Sequence, residues 1–136
     1  MQTILVVDDE PGVLSMTHDA LELSGYHVID AGDAEEALRV EEQFSEPIHL
    51  LLTDIVMPGL SGPELAVKFR VRRPQAKVLF MSAFVLVNIA HHNIQIDPGV
   101  PILAKPFSLD ALTLRVRQLL TPSPFARPPG PRRVGA

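Results

Sequence analysis

Five short apolar runs punctuate the chain: Ile4–Val7, Tyr26–Ile29, Ile48–Leu52, Val78–Met81 and Ile102–Ala104. At least three are continuous rather than alternating. A strand covered on both faces reads that way, and parallel sheets flanked by helices produce such strands. Helix signals fill the gaps. Leu14, Thr17, Leu21 and Ser24 repeat at helical spacing before a stop at Gly25. Asp33 followed by Glu36 marks a helix start that runs to about Phe44, and Ser61 followed by Glu64 marks another with Leu65, Ala66 and Phe69 on one face. Ser108 caps a last helix whose apolar face is Leu109, Leu112, Val116 and Leu119. Between the fourth and fifth runs, Val85–His92 carries the weakest helix signal, being β-branched and nearly uncharged. Five strands alternating with five helices predict a doubly wound α/β domain with right-handed crossovers. The pattern leaves strand order open, and the flavodoxin-like order 2-1-3-4-5 is one of two common solutions.

Length and composition narrow the classes. The 136 residues make about one domain, and they lack cysteine, which excludes a disulfide framework, a thiolate zinc site and a cysteine nucleophile. The net charge is −4, and Trp is absent. An acidic domain with few aromatic residues suits neither DNA nor a nucleic-acid stacking platform. The longest uncharged stretch, Val78–Ile96, is broken by polar residues and is too short in its apolar part to span a bilayer. No signal peptide is evident, and a cytoplasmic location is expected. Residues 1–120 read as one domain. Residues 121–136 hold five of the 13 prolines and three arginines, and are expected to form a flexible Pro/Arg-rich tail.

Chemistry-bearing residues fall at the ends of the predicted strands. Asp8 and Asp9 follow the first, Asp54 follows the third, Ser82 closes the fourth and Lys105 closes the fifth. In an open parallel sheet the strand C-termini share one edge, and ligands bind in the crevice there. The second strand contributes nothing, as suits an edge strand in the order 2-1-3-4-5. Clustered carboxylates repel, and a hard divalent cation such as Mg2+ or Mn2+ relieves that repulsion with oxygen ligands. Asp54, alone on the middle strand, is the natural nucleophile for phosphorus, and Asp8 and Asp9 are the natural metal ligands. A lysine and a hydroxyl opposite them suit the remaining phosphoryl oxygens. Taken singly, each of these residues is more often a turn or surface residue; their joint placement carries the reading.

VVDDE, LLTDIVMPGLSGPEL, VLFMSAF and PILAKPF, in this order, closely resemble the receiver domain of two-component response regulators, over residues 3–120. The resemblance implies a flavodoxin-like (βα)5 fold. It implies that Asp54 accepts a phosphoryl group from the phosphohistidine of a histidine kinase or phosphotransfer domain. Asp8, Asp9, Asp54 and the backbone carbonyl of Val56 would bind Mg2+. Ser82 and Lys105 would contact the phosphoryl group, with a cis Lys105–Pro106 bond. The domain would catalyse its own phosphorylation. Phosphorylation would then shift a two-state equilibrium at the face of the fourth helix, fifth strand and fifth helix, where a downstream protein, or a second copy in a homodimer, would dock. The chain would stand alone, act within a phosphorelay, or be the C-terminal receiver of a hybrid histidine kinase.

Two departures stand out. Ile102 occupies the position where the family usually carries an aromatic switch residue. Val56 and Phe84, two residues past Asp54 and Ser82, are apolar where polar side chains help position an attacking water, so slow self-dephosphorylation is expected. The apolar stretch Phe84–Ile96 reads as core packing or as an exposed partner surface. The five histidines show no ligand spacing and read as structural or surface residues. Two rival readings are a pseudo-receiver that serves only as an interaction module and a phosphatase of the haloacid-dehalogenase type. The latter needs a second acid two residues after the nucleophile, whereas Asp54 is followed by Ile55 and Val56.

Overall fold

A computed structural model describes residues 1–83 and 99–121. The predicted helix over Val85–His92, the apolar stretch around it, Phe84 and all but the first residue of the tail lie outside the described residues. Strands β1 (Thr3–Val7), β2 (His27–Ala31), β3 (Leu50–Asp54), β4 (Lys77–Ser82) and β5 (Ile102–Ala104) form one sheet in the order β2-β1-β3-β4-β5. Every neighbouring pair is parallel. The three central strands are buried almost throughout, whereas β2 and β5 are partly exposed edges. The continuous apolar runs are therefore the strands covered on both faces.

The pleat divides the core in two. Leu5, Val7, Leu51, Val78 and Phe80 face helices α2 (Ala34–Gln43) and α3 (Gly62–Arg72), meeting Ala34, Ala37, Leu65 and Phe69. Ile4, Val6, Leu50, Leu52, Leu79 and Met81 face α1 (Pro11–Leu23) and the C-terminal helix (Leu109–Leu120), meeting Leu21, Leu112 and Val116. Two residues assigned to helix faces sit elsewhere. Ser24 is exposed as the C-cap of α1, its hydroxyl donating to the Ala20 carbonyl, and Leu109 opens the last helix on the rim.

Helix starts follow the local chemistry. Ser61 and Glu64 form a reciprocal capping box on α3, and Ser108 accepts from the Ala111 amide. At α2, Asp33 accepts from the Glu36 amide, while the Glu36 carboxylate accepts from the amide of Gly32, one residue before the cap. Pro11 opens α1, where its missing N–H costs no bond. Three of the histidines have structural partners: His18 lies between Asp30 and Glu22, His49 accepts from the Thr3 amide, and His27 packs on Phe44.

One buried charge fixes α3 to α2. Glu41 is 1% exposed, and Arg73 Nε donates to its carboxylate at 2.8 Å. The same guanidinium donates to the carbonyls of Glu41, Phe44 and Glu46, closing the end of α2. Arg72 Nε lies 2.8 Å from the other Glu41 oxygen. Removing Arg73 leaves the buried carboxylate half-compensated. Urea unfolding of Arg73→Ala is expected to show a loss of about 3 kcal/mol, only partly restored in Arg73→Lys, whose point charge cannot reach four acceptors. Among the described residues, the buried Thr17 hydroxyl has no hydrogen-bond partner. Thr17→Val keeps the shape and removes that group, so the same measurement should show a gain of about 1 kcal/mol.

Candidate functional site at the carboxyl edge of the sheet

Register brings the strand ends together. Val7 pairs with Thr53 and Asp54 with Met81, so Asp8 and Asp54 leave neighbouring strands at one level. Ser82 pairs with Ala104, which sets Ser82 one step higher and Lys105 one step beyond that. The Lys105 amide donates to the Ser82 carbonyl at 2.8 Å, and the Lys105–Pro106 bond is cis, as the resemblance implied.

The Lys105 ammonium is the centre of the cluster. It lies 2.7 Å from Asp8 Oδ2, 3.1 Å from Glu10 Oε1 and 3.2 Å from Asp54 Oδ2. The other carboxylate oxygens are held by backbone: Asp8 Oδ1 accepts from the Glu10 amide and Asp54 Oδ1 from the Ile55 amide, each at 2.9 Å. Both aspartates are thus oriented from two sides. Side-chain exposure is 0% for Asp8, 10% for Asp54, 8% for Lys105 and 62% for Glu10. The backbone of Asp54 is itself fixed by α3. A Cβ on Gly62 would overlap the Asp54 carbonyl oxygen, and the Gly62 amide donates to the Ile55 carbonyl at 2.8 Å. Only glycine permits that approach.

Electrostatics follow from the packing. Burial pushes the Asp54 carboxyl up to about 6, Asp8 adds to the rise, and Lys105 opposes it. For Lys105, burial favours the neutral amine but is outweighed by Asp8, Asp54 and Glu10, so its pKa is raised.

The sequence-derived residues separate into those that meet and those that do not. Asp8, Asp54 and Lys105 touch. Ser82 is buried at the end of β4 beside them. Asp9 is exposed, and the carboxylates whose oxygens come within 4.8 Å of one another are those of Asp8, Glu10 and Asp54. Val56 packs its side chain on the α2–α3 side of the core, and so does Ile102, the register partner of Phe80. Phe84 lies outside the described residues. Glu10 was missed by the sequence reading; its signal was the third acid in the run Asp8-Asp9-Glu10. A second group, His18, Asp19 and Glu22, also brings ligand atoms within 4.8 Å, on the outer side of α1.

Between its ordinary value of 3.8 and about 6, Asp54 binds a proton more tightly in the folded chain than in the unfolded one. Stability of the metal-free protein therefore falls as pH rises through that window. Asp54→Asn lacks the titration. Urea curves in chelator should show the variant gaining on the wild type between those pH values; parallel pH profiles would contradict the assignment.

Residues 4–117 match the family model described as the response regulator receiver domain. Among curated proteins, the chain is 34% identical over 118 residues to the sensor kinase CckA of Brucella abortus, covering 87% of this chain and 12% of that one. It is 34% identical over 121 residues to the response regulator receiver protein CpdR of the same organism, covering 88% of this chain and 98% of that one. The chain therefore spans a small part of the first relative and nearly all of the second. Among solved structures, the response regulator TrrA of Thermotoga maritima, crystallised with Mg2+ and beryllofluoride, superposes with a TM-score of 0.69 at 33% identity, covering 88% of this chain and 100% of that one. With the strand order, the edge cluster and these matches together, the chain belongs to the response-regulator receiver-domain family.

Proposed function

We propose that this receiver domain takes a phosphoryl group from a phosphohistidine onto Asp54 and signals through the change in conformation that follows. The observation that carries the reading is the Lys105 ammonium, 3.2 Å from one oxygen of the buried Asp54 carboxylate and anchored by Asp8. A carboxylate oxygen of Asp54 forms the new O–P bond as the P–N bond of the phosphohistidine breaks. The imidazole leaves with that electron pair and takes up a proton. Lys105 and the Ser82 hydroxyl receive the phosphoryl oxygens at the sheet edge.

Asp8 and Asp54 bring carboxylate oxygens together at this edge, hard anionic donors that fit Mg2+ or Mn2+. Asp8, Asp9, Asp54 and the Val56 carbonyl are the residues proposed to hold the ion. The ion would neutralise charge on the transferring oxygens. From the protein, the Lys105 ammonium would offset charge there as well, and the Ser82 hydroxyl would donate a hydrogen bond. Partners are a histidine kinase or phosphotransfer domain upstream and a protein target downstream, in the cytoplasm, with no direct role for DNA or lipid. Among the described residues, no helix is long and apolar enough to cross a membrane.

With acetyl phosphate and Mg2+, intact-mass measurement should show the wild type gaining one phosphoryl group. Asp54→Ala should gain none, and Lys105→Ala should be slowed about 100-fold, as for loss of one charge-stabilising group. Equal uptake by Asp54→Ala would falsify the assignment, and failure of the wild type to label would favour a role as an interaction module. Val56, two residues past the acceptor, is half-buried and apolar. Loss of phosphate from the isolated domain should be slow, and Val56→Asn should accelerate it; equally fast decay in both would remove the idea.

A further inference from the structure

The ammonium of Lys105 has three N–H donors, and three carboxylates accept them: Asp8 at 2.7 Å, Glu10 at 3.1 Å and Asp54 at 3.2 Å. An arriving phosphoryl group can take Lys105 only by displacing an acceptor. The three acceptors differ in what release costs. Asp8 makes the shortest contact and is 0% exposed, so freeing it would strand a buried charge. Asp54 is the group being modified. Glu10 is 62% exposed, so its carboxylate returns to water at little cost.

The placement of Glu10 supports the same conclusion. It is the N-cap residue of α1, with extended backbone (φ −96°, ψ 108°), yet its side chain makes no capping hydrogen bond. Ser, Thr, Asp and Asn are the side chains that cap well. Glu10 instead sends its longer arm to the ammonium, while its own amide orients Asp8.

The geometry points to Glu10 as a displaceable counter-ion: it occupies one Lys105 donor in the resting domain and yields it to the phosphoryl oxygens. This rests on the phosphoacceptor reading and makes Glu10 a positioning residue. Its charge opposes phosphorylation, both by holding Lys105 and by repelling the incoming anion.

Beryllofluoride, which joins a carboxylate oxygen and mimics the phosphoryl group, reads this out by 19F NMR in the presence of Mg2+. Glu10→Gln and Glu10→Ala should bind it about two- to fivefold more tightly than the wild type, the range of an exposed ion pair. Mg2+ affinity, by calorimetry without beryllofluoride, should stay within twofold, as a rough allowance for an exposed charge. Glu42→Gln makes the same change of charge on an exposed residue of α2 and should alter neither. In the resting protein, the Lys105 15Nζ resonance should move in Glu10→Gln and stay in place in Glu42→Gln. Unchanged or weaker beryllofluoride binding in the Glu10 variants overturns the proposal. So does a loss of Mg2+ affinity, which would make Glu10 a metal ligand, or an equal gain in Glu42→Gln, which would make the effect one of net charge. A wild type that binds beryllofluoride while the Glu10 variants show no gain refutes the role of Glu10 alone. A wild type that binds none refutes the phosphoacceptor reading and this inference with it, the resonance shift still reporting whether Glu10 engages Lys105.

Discussion

One ammonium set among three carboxylates organises the functional edge of this domain. Asp8, Glu10 and Asp54 would repel one another at these distances, and two of them are largely removed from water. Lys105 offsets that repulsion from the far side of the sheet. Because the order is β2-β1-β3-β4-β5, its arm passes the end of β4 to reach Asp54, the last residue of β3, and Asp8, just past β1. The contact joins residues 97 apart in sequence, beyond the point where the backbone ladders end. The cluster therefore closes the sheet electrostatically where hydrogen bonding between strands stops.

Such a cluster is costly for the fold, and the rest of the structure absorbs the cost. The central strands are packed on both faces, and each aspartate has one oxygen tied to a backbone amide. Gly62 lets the first turn of α3 close directly on the Asp54 backbone. Even so, the Asp54 carboxyl keeps a raised pKa, because its burial outweighs the lysine beside it. A carboxylate in this state is poorly solvated and oriented from both sides, which is what the proposed phosphoacceptor role asks of it.

Much of this was legible in the residues, because the features that set the fold are short-range or periodic. The apolar runs marked strands covered on both faces, and Ser61 and Ser108 announced their helices by cap chemistry. The strand ends then placed Asp8, Asp54, Ser82 and Lys105 at one edge. The acidic run after β1 was less legible. A strand's alternation stops at its last paired residue, here Val7, and α1 begins at Pro11. Three acids in so short a turn carry no periodicity to say which one points inward. The turn directs Asp8 and Glu10 to the lysine and leaves Asp9 exposed, an outcome set by tertiary contact with a residue on β5's far end. Ser24 and Leu109 diverged for a related reason. At helix ends, capping and the rim of the core override the face that periodicity assigns.

The same edge strand suggests how a change at the lysine would leave the site without an aromatic relay. Ile102 and Lys105 lie on one short strand and its continuation, yet they serve opposite sides of the sheet. Ile102 packs with the α2–α3 core opposite Phe80, while Lys105 turns to the carboxylates. They are linked through backbone: the Phe80 amide donates to the Pro101 carbonyl and the Lys105 amide to the Ser82 carbonyl. β5 has three residues, is only partly buried and pairs on one side alone, so it is the least constrained strand of the sheet. A new acceptor for Lys105 would act on this strand at one end and on the packing of Ile102 at the other.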